Sequence, residues 1–135
     1  MRRLAGRTDL LTPRIEGIWR EALAAPIDVP ATWLHGDLHA RNVLVAGGAI
    51  RGVVDWGDIT AGDRATDLAS LWMLFETPAE RADALAVSGG ASPATLARAR
   101  GGAVLVGVAL LDSGLVDHPG HAAIGRSTLR RLADP

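Results

Sequence analysis

Asp37, Asn42 and Asp55 are the residues of this 135-residue chain whose types and spacing could do chemistry. Asp37 and Asn42 stand five apart in "WLHGDLHARNVLV", residues 33–45. The apolar segments on either side read as buried strands, so the polar stretch between them must be a loop. A carboxylate such as Asp37 can accept a proton from a hydroxyl nucleophile. Asn42 offers a carbonyl oxygen, a neutral metal ligand. Asp55 ends the next β-branched run. A hairpin with "AGGA", residues 46–49, as its turn sets Val45 near Ile50 and Asn42 near Val53 to Asp55. Two carboxylates and an amide then share one place. Hard oxygen donors of this kind suit Mg²⁺, which takes few protein ligands and completes its shell with substrate phosphates. A base beside a hydroxyl, with a metal ion on phosphates, is the arrangement of phosphoryl transfer.

The elements that must position these groups can be read around them. Thr12 and Pro13 open a helix as cap and first residue, with Ile15, Ile18, Trp19 and Leu23 at helical spacing, and Pro26 closes it. Ala31 to Leu34 reads as a short strand. Asn42–Val45 and Ile50–Val54 form the hairpin, and "TAGD" ends the sheet part. Asp63 reads as the N-cap of one helix through Phe75. Thr77-Pro78-Ala79-Glu80 is a capping box that starts a helix to Val87. Ser92-Pro93 opens a helix to Leu115, "VDHPG" is a turn, and a last helix spans His121 to Ala133. The order predicts a mostly helical α+β unit, a single domain over residues 1–135.

Composition bounds the partners. Hydrophobic residues make up 48%, enough for a core, and net charge is −1, so no basic field for nucleic acid exists. No cysteine is present, which excludes disulfides, thiolate metal sites and a Cys nucleophile. The longest apolar run, Ala103–Leu111, falls short of the roughly 20 residues of a membrane helix. No early apolar run resembles a signal peptide, and a cytoplasmic location is expected. All fourteen basic residues are Arg.

"HGDLHARN" matches the kinase catalytic-loop pattern H-R-D-L-x-x-x-N, with Gly36 in place of Arg. Together with "GVVDWGD" and "AGDRATDLASLW" it resembles the aminoglycoside phosphotransferase family, small-molecule kinases of protein-kinase-like fold. The three motifs cover residues 33–72. The resemblance implies a C-terminal kinase lobe whose small hairpin sheet carries the catalytic loop. It implies ATP and Mg²⁺ as cofactors, Asp37 as catalytic base, and Asn42 and Asp55 as ligands holding Mg²⁺ on the nucleotide. It makes His35 a structural brace and Asp67 an acceptor for the catalytic-loop backbone. Gly36 replaces an Arg that serves phosphorylation control in protein kinases, so no activation-loop switch is expected.

The family's N-terminal lobe supplies a strand-rich ATP cover and a Lys on the phosphates. The residues before Ala31 read as one helix, and the chain has no Lys. The expectation is therefore a catalytic lobe alone. Its apolar cleft face should be exposed and should favour self-association or a partner lobe. The rival from another class is a truncated, non-catalytic remnant or binding module. A Mg²⁺-dependent phosphatase-like hydrolase fits the spacing of His35 and Asn42 about Asp37 poorly. Elsewhere the plain structural readings are favoured. His39 is a loop residue near the site rather than a metal ligand. His118 and His121 are exposed beside a Pro-Gly turn. Asp58 is a turn cap or a support for the metal. Trp19, Trp33, Trp72 and Phe75 are core, and "RRLAGR" and "RSTLRR" are solvated faces. After Asp67 six acids balance six Arg, which argues for a neutral or modestly charged hydroxyl compound over a polycation.

Overall fold

A computed structural model describes residues 8–116 and 118–134. The "RRLAGR" tract and Asp117 lie outside the described residues. The architecture is mixed α+β: six α-helices and two small antiparallel sheets among those residues.

Helix α1 (Pro13–Ala24) starts where Thr12 Oγ1 accepts a hydrogen bond from the Ile15 N–H. β1 (Thr32–Leu34) leads into the loop of interest. β2 (Val43–Ala46) and β3 (Ala49–Val53) form the hairpin, with Val45 opposite Ile50 and Val43 opposite Val53. Its turn uses positive φ at both Gly47 (59°) and Gly48 (74°), which only glycine adopts freely. The hairpin's strands are not buried: Leu44, Val45 and Ile50 are exposed. A two-stranded ribbon with no layer packed on its outer face leaves its alternate side chains in water.

"TAG" does not merely end the sheet. It forms β4 (Thr60–Gly62), which pairs with β1 in register Thr32 to Gly62 and Leu34 to Thr60. In β1 only Leu34 faces inward, and Trp33, expected in the core, is 76% exposed. Strand alternation accounts for this, since neighbours on a strand point to opposite faces.

The helix expected from Asp63 through Phe75 is two short ones, α2 (Ala65–Leu68) and α3 (Leu71–Leu74). Between them Ser70 and Trp72 bond three residues back, to Asp67 and Ala69, a winding tighter than the α-helix. α4 (Pro78–Val87) begins at the capping box, complete in both directions: Glu80 N–H donates to Thr77 Oγ1, and Thr77 N–H donates to Glu80 Oε2 at 2.9 Å. α5 (Pro93–Gly114) and α6 (Pro119–Ala133) finish the chain.

α5 extends well beyond the apolar run Ala103–Leu111. With 22 residues and a mean hydropathy of 1.4 in its most apolar window, it is long and apolar enough to cross a membrane by length and composition alone. Here it is the core helix. Ala103, Val104 and Leu111 are fully buried among Ile15 and Ile18 of α1 and Leu129 and Leu132 of α6, and Ala99 is buried with Ala65, Leu68 and Leu71. Trp19 and Trp72 pack against this core. The α5–α6 seam is close enough to need glycine. A Cβ on Gly125 would stand 2.6 Å from the Gly107 oxygen, and one on Gly114 would stand 2.6 Å from Ala122 Cα. Two arginines close helix ends. Arg81 donates to the carbonyls of Phe75 and Glu76, and Arg131, placed by the sequence on a solvated face, donates to those of Trp72 and Met73.

Candidate active site

Asp67, in the first turn of α2, is the anchor of the loop after β1. Its Oδ2 accepts from the His35 N–H at 2.7 Å and its Oδ1 from the Gly36 N–H at 3.0 Å. One carboxylate thus spans two consecutive amides, the charge-assisted kind of hydrogen bond. His35 is buried. Its Nδ1 accepts from the Asp37 N–H at 3.3 Å, so the proton of the neutral ring sits on Nε2 and points at the Val54 carbonyl, 2.9 Å away. The ring therefore ties the loop to the end of β3. Trp56 lies against it, with ring centroids 4.7 Å apart, and donates from Nε1 to the Val53 carbonyl.

Gly36 is required by shape. Its φ is +86°, and a Cβ there would run into the Asp58 carbonyl and stand 3.2 Å from Asp58 Cβ. This is Asp58's visible part in the site: its backbone packs on Gly36, and its side chain is exposed.

Asn42 ends a short 3-10 turn, Ala40–Asn42, whose Arg41 N–H donates to the His39 ring. Asn42 is buried, and its two ends are used differently. Its backbone oxygen accepts from the Val54 N–H at 2.9 Å, which fixes the turn to the end of the hairpin. Its Nδ2 donates to the Asp37 carbonyl at 2.9 Å and lies 3.5 Å from Asp37 Oδ2. With the nitrogen so occupied, Oδ1 is the atom left to act as a ligand. Asp55 follows β3 at the same end of the hairpin, exposed, in the left-handed conformation (φ 63°, ψ 62°). It is the single non-glycine residue with positive φ among the described residues. Asp37, Asn42 and Asp55 are a carboxylate, an amide and a carboxylate, the oxygen donors that Mg²⁺ takes. No group of three or more His, Asp or Glu placed to hold a metal occurs among the described residues.

His39, expected as a loop residue near the site, stands beside Asp37. Its Nδ1 accepts from the Arg41 N–H, and its Nε2 lies 3.5 Å from Asp37 Oδ2. His121 was expected to be exposed, yet it is partly buried and takes a hydrogen bond from the Arg41 guanidinium. Its pKa is lowered by desolvation, then by the positive charge of Arg41 and by His118 and His39. His118 is exposed, its ring 5.0 Å from that of His121. Eighty residues separate Arg41 from His121, and no local signal marks the contact.

A second polar cluster stands behind the loop. Asp63 caps α2 by accepting from the Ala65 N–H at 3.1 Å, and it holds Arg98 of α5 through two bonds, 2.6 and 3.2 Å. Arg98 also reaches Asp28 and the Pro26 carbonyl. Asp28 accepts from Ser92 and Thr95 as well, and these bonds bring its carboxyl down to about 2. The Arg98 hydrogen bonds likewise lower Asp63. Between this pair and Asp37 lies a cavity of about 300 Å³. A larger one, about 540 Å³, is lined by residues of α1, α3, α4, α5 and α6 and by none of the residues of the loop or of the Asp63–Arg98–Asp28 cluster.

The family model of the phosphotransferase enzyme family, APH, matches residues 1–101, a span that holds the whole loop and its anchor and ends within α5. No curated protein matches the chain.

Proposed function

The chain belongs to the phosphotransferase enzyme family, and from that premise we propose that it transfers the γ-phosphate of ATP to a hydroxyl of a small molecule. Asp37 takes the hydroxyl proton. The freed oxygen bonds the γ-phosphorus as the bond to the bridging oxygen breaks, and ADP leaves. Asn42 through Oδ1 and Asp55 through its carboxylate would hold Mg²⁺. When bound, that ion supplies positive charge against the phosphate oxygens.

The observation that carries the reading is the carboxylate of Asp67 clamped on the His35 and Gly36 amides. With Asn42 Nδ2 on the Asp37 carbonyl, it sets a base and an amide oxygen side by side on a loop held at both ends. Preorganised groups of this kind lower the barrier because they need not be ordered during reaction.

In this reading the chain is the C-terminal lobe of a kinase-like fold. Trp33, Val54, Trp56 and Ile59, all exposed, form the face on which an ATP-covering lobe or a second copy would sit. The location that goes with ATP as donor is cytoplasmic.

Calorimetric titration with Mg²⁺·ATP tests the site. The expected result is metal-dependent binding that weakens at least about tenfold in Asp55→Ala and persists in Asp37→Asn. A folded sample that binds no Mg²⁺·ATP, or an Asp55→Ala variant that binds unchanged, overturns the assignment.

A further inference from the structure

We propose that the cavity beside Asp37 is the acceptor pocket and that it takes a compact, uncharged, largely apolar alcohol. The inference rests on the phosphotransferase reading and names its substrate class. The cavity lies where the catalytic loop, α2–α3 and α5 meet, and Asp37 lines it, so an acceptor seated there has the base within the same space. Its volume is about 300 Å³. That is the low end for small-molecule sites, and at about 30 Å³ per water-sized group it holds roughly ten heavy atoms.

The walls decide the chemistry. Leu38, Ala69, Met73, Leu105 and Val106 make most of the surface apolar, and Thr66 adds one hydroxyl that can orient a polar end. Three charged residues reach the cavity: Asp37, Asp63 and Arg98. Asp63 and Arg98 are bonded to each other twice, and Arg98 also holds Asp28, so their charges are already matched. Asp37 has no Arg partner; the His39 ring and the Asn42 amide lie 3.5 Å from its Oδ2, and its carboxylate is needed for the hydroxyl proton. A polycation would have to leave its charges unpaired against apolar walls, which costs several kcal/mol for each group. An anion would meet Asp37 directly. A neutral alcohol meets neither difficulty. Its O–H proton passes to Asp37 as the oxygen takes the phosphoryl group.

The test reads binding without turnover. The methyl-labelled chain is titrated with benzyl alcohol and, separately, with an aminoglycoside, while the Leu38, Met73 and Val106 methyl resonances are followed by NMR. A Leu105→Trp variant blocks the pocket. Leu105 is 56% exposed, so the larger ring can be carried without repacking the core. The expected result is a saturable shift of those methyls with benzyl alcohol, at least tenfold weaker in Leu105→Trp, and no shift with the aminoglycoside. Absence of a saturable shift, or an aminoglycoside moving the same methyls, overturns the proposal. Either failure leaves Mg²⁺·ATP binding untouched. Alcohol binding in a chain that does not bind Mg²⁺·ATP would instead remove the phosphotransferase reading.

Discussion

Replacing Asp67 by Asn isolates the clamp that holds the loop. The side chain keeps its size, but one carboxylate oxygen becomes an NH₂ group and the negative charge is lost. Asp67 accepts two bonds, 2.7 Å from His35 and 3.0 Å from Gly36. An amide can accept only one of them, and its NH₂ faces the other N–H donor to donor. A hydrogen bond to a charged group contributes about 1.5–3 kcal/mol, and a neutral one about 1. Losing one and weakening the other therefore costs about 2–4 kcal/mol, a large share of the 5–15 kcal/mol of a typical domain. For a chain of this length that lowers Tm on the order of 10 °C. Differential scanning calorimetry gives the midpoint, urea unfolding gives the free energy, and the amide proton shifts of His35 and Gly36 report the bonds themselves. A loss under about 1 kcal/mol, with both amide shifts unchanged, would refute the claim that this carboxylate holds the loop.

Two further outcomes follow from the packing and the charges. Gly114→Ala should destabilise by roughly 2–3 kcal/mol, because the added carbon meets the Ala122 backbone. Gly120→Ala, where nothing lies within 4 Å, should not. Equal urea midpoints for the two variants would contradict the close α5–α6 seam. Stability should also fall on acidification from pH 4 toward 2. The folded chain holds Asp28 at about 2 and lowers Asp63 and Glu80, whereas unfolded carboxyls titrate near about 4. The unfolded state therefore binds more protons in that window, so the stabilisation is full above it and is lost within it. Urea unfolding that is flat from pH 4.5 to 2.5 would show that these groups are not linked to folding.

The features legible in the sequence were those whose cause is local. Thr12-Pro13, Thr77 with Glu80, and Ser92-Pro93 start helices because a side-chain oxygen meets an amide three residues on. The turn of the hairpin needs only its two glycines. The features that sequence reasoning missed depend on distant partners. β4 exists because residues 60–62 meet β1, and nothing in "TAG" announces a strand. Trp33 is exposed because three-residue β1 has one inward position and Leu34 holds it. The break at Ala69–Ser70 shows only in the three-back bonds of Ser70 and Trp72, with no local breaker in the sequence. In the site, spacing singles out Asp37, Asn42 and Asp55, and family resemblance singles out Asp67. Neither shows that Gly36 is required by the Asp58 backbone, that Arg41 reaches His121, or that Arg98 neutralises Asp63 next to the cavity.

The left-handed backbone of Asp55 sets two demands against each other. An L-residue other than glycine gives up about 1 kcal/mol or more in that conformation. Asp is among the few that tolerate it, and glycine relieves it. Glycine, however, carries no oxygen to offer a cation. At this position the residue best for thermodynamic robustness and the residue able to act as a ligand are different amino acids. Under the proposed function, Asp55 is a trade-off in which resistance to unfolding yields to chemistry, confined to one backbone torsion at the end of a three-element hairpin of strand, turn and strand.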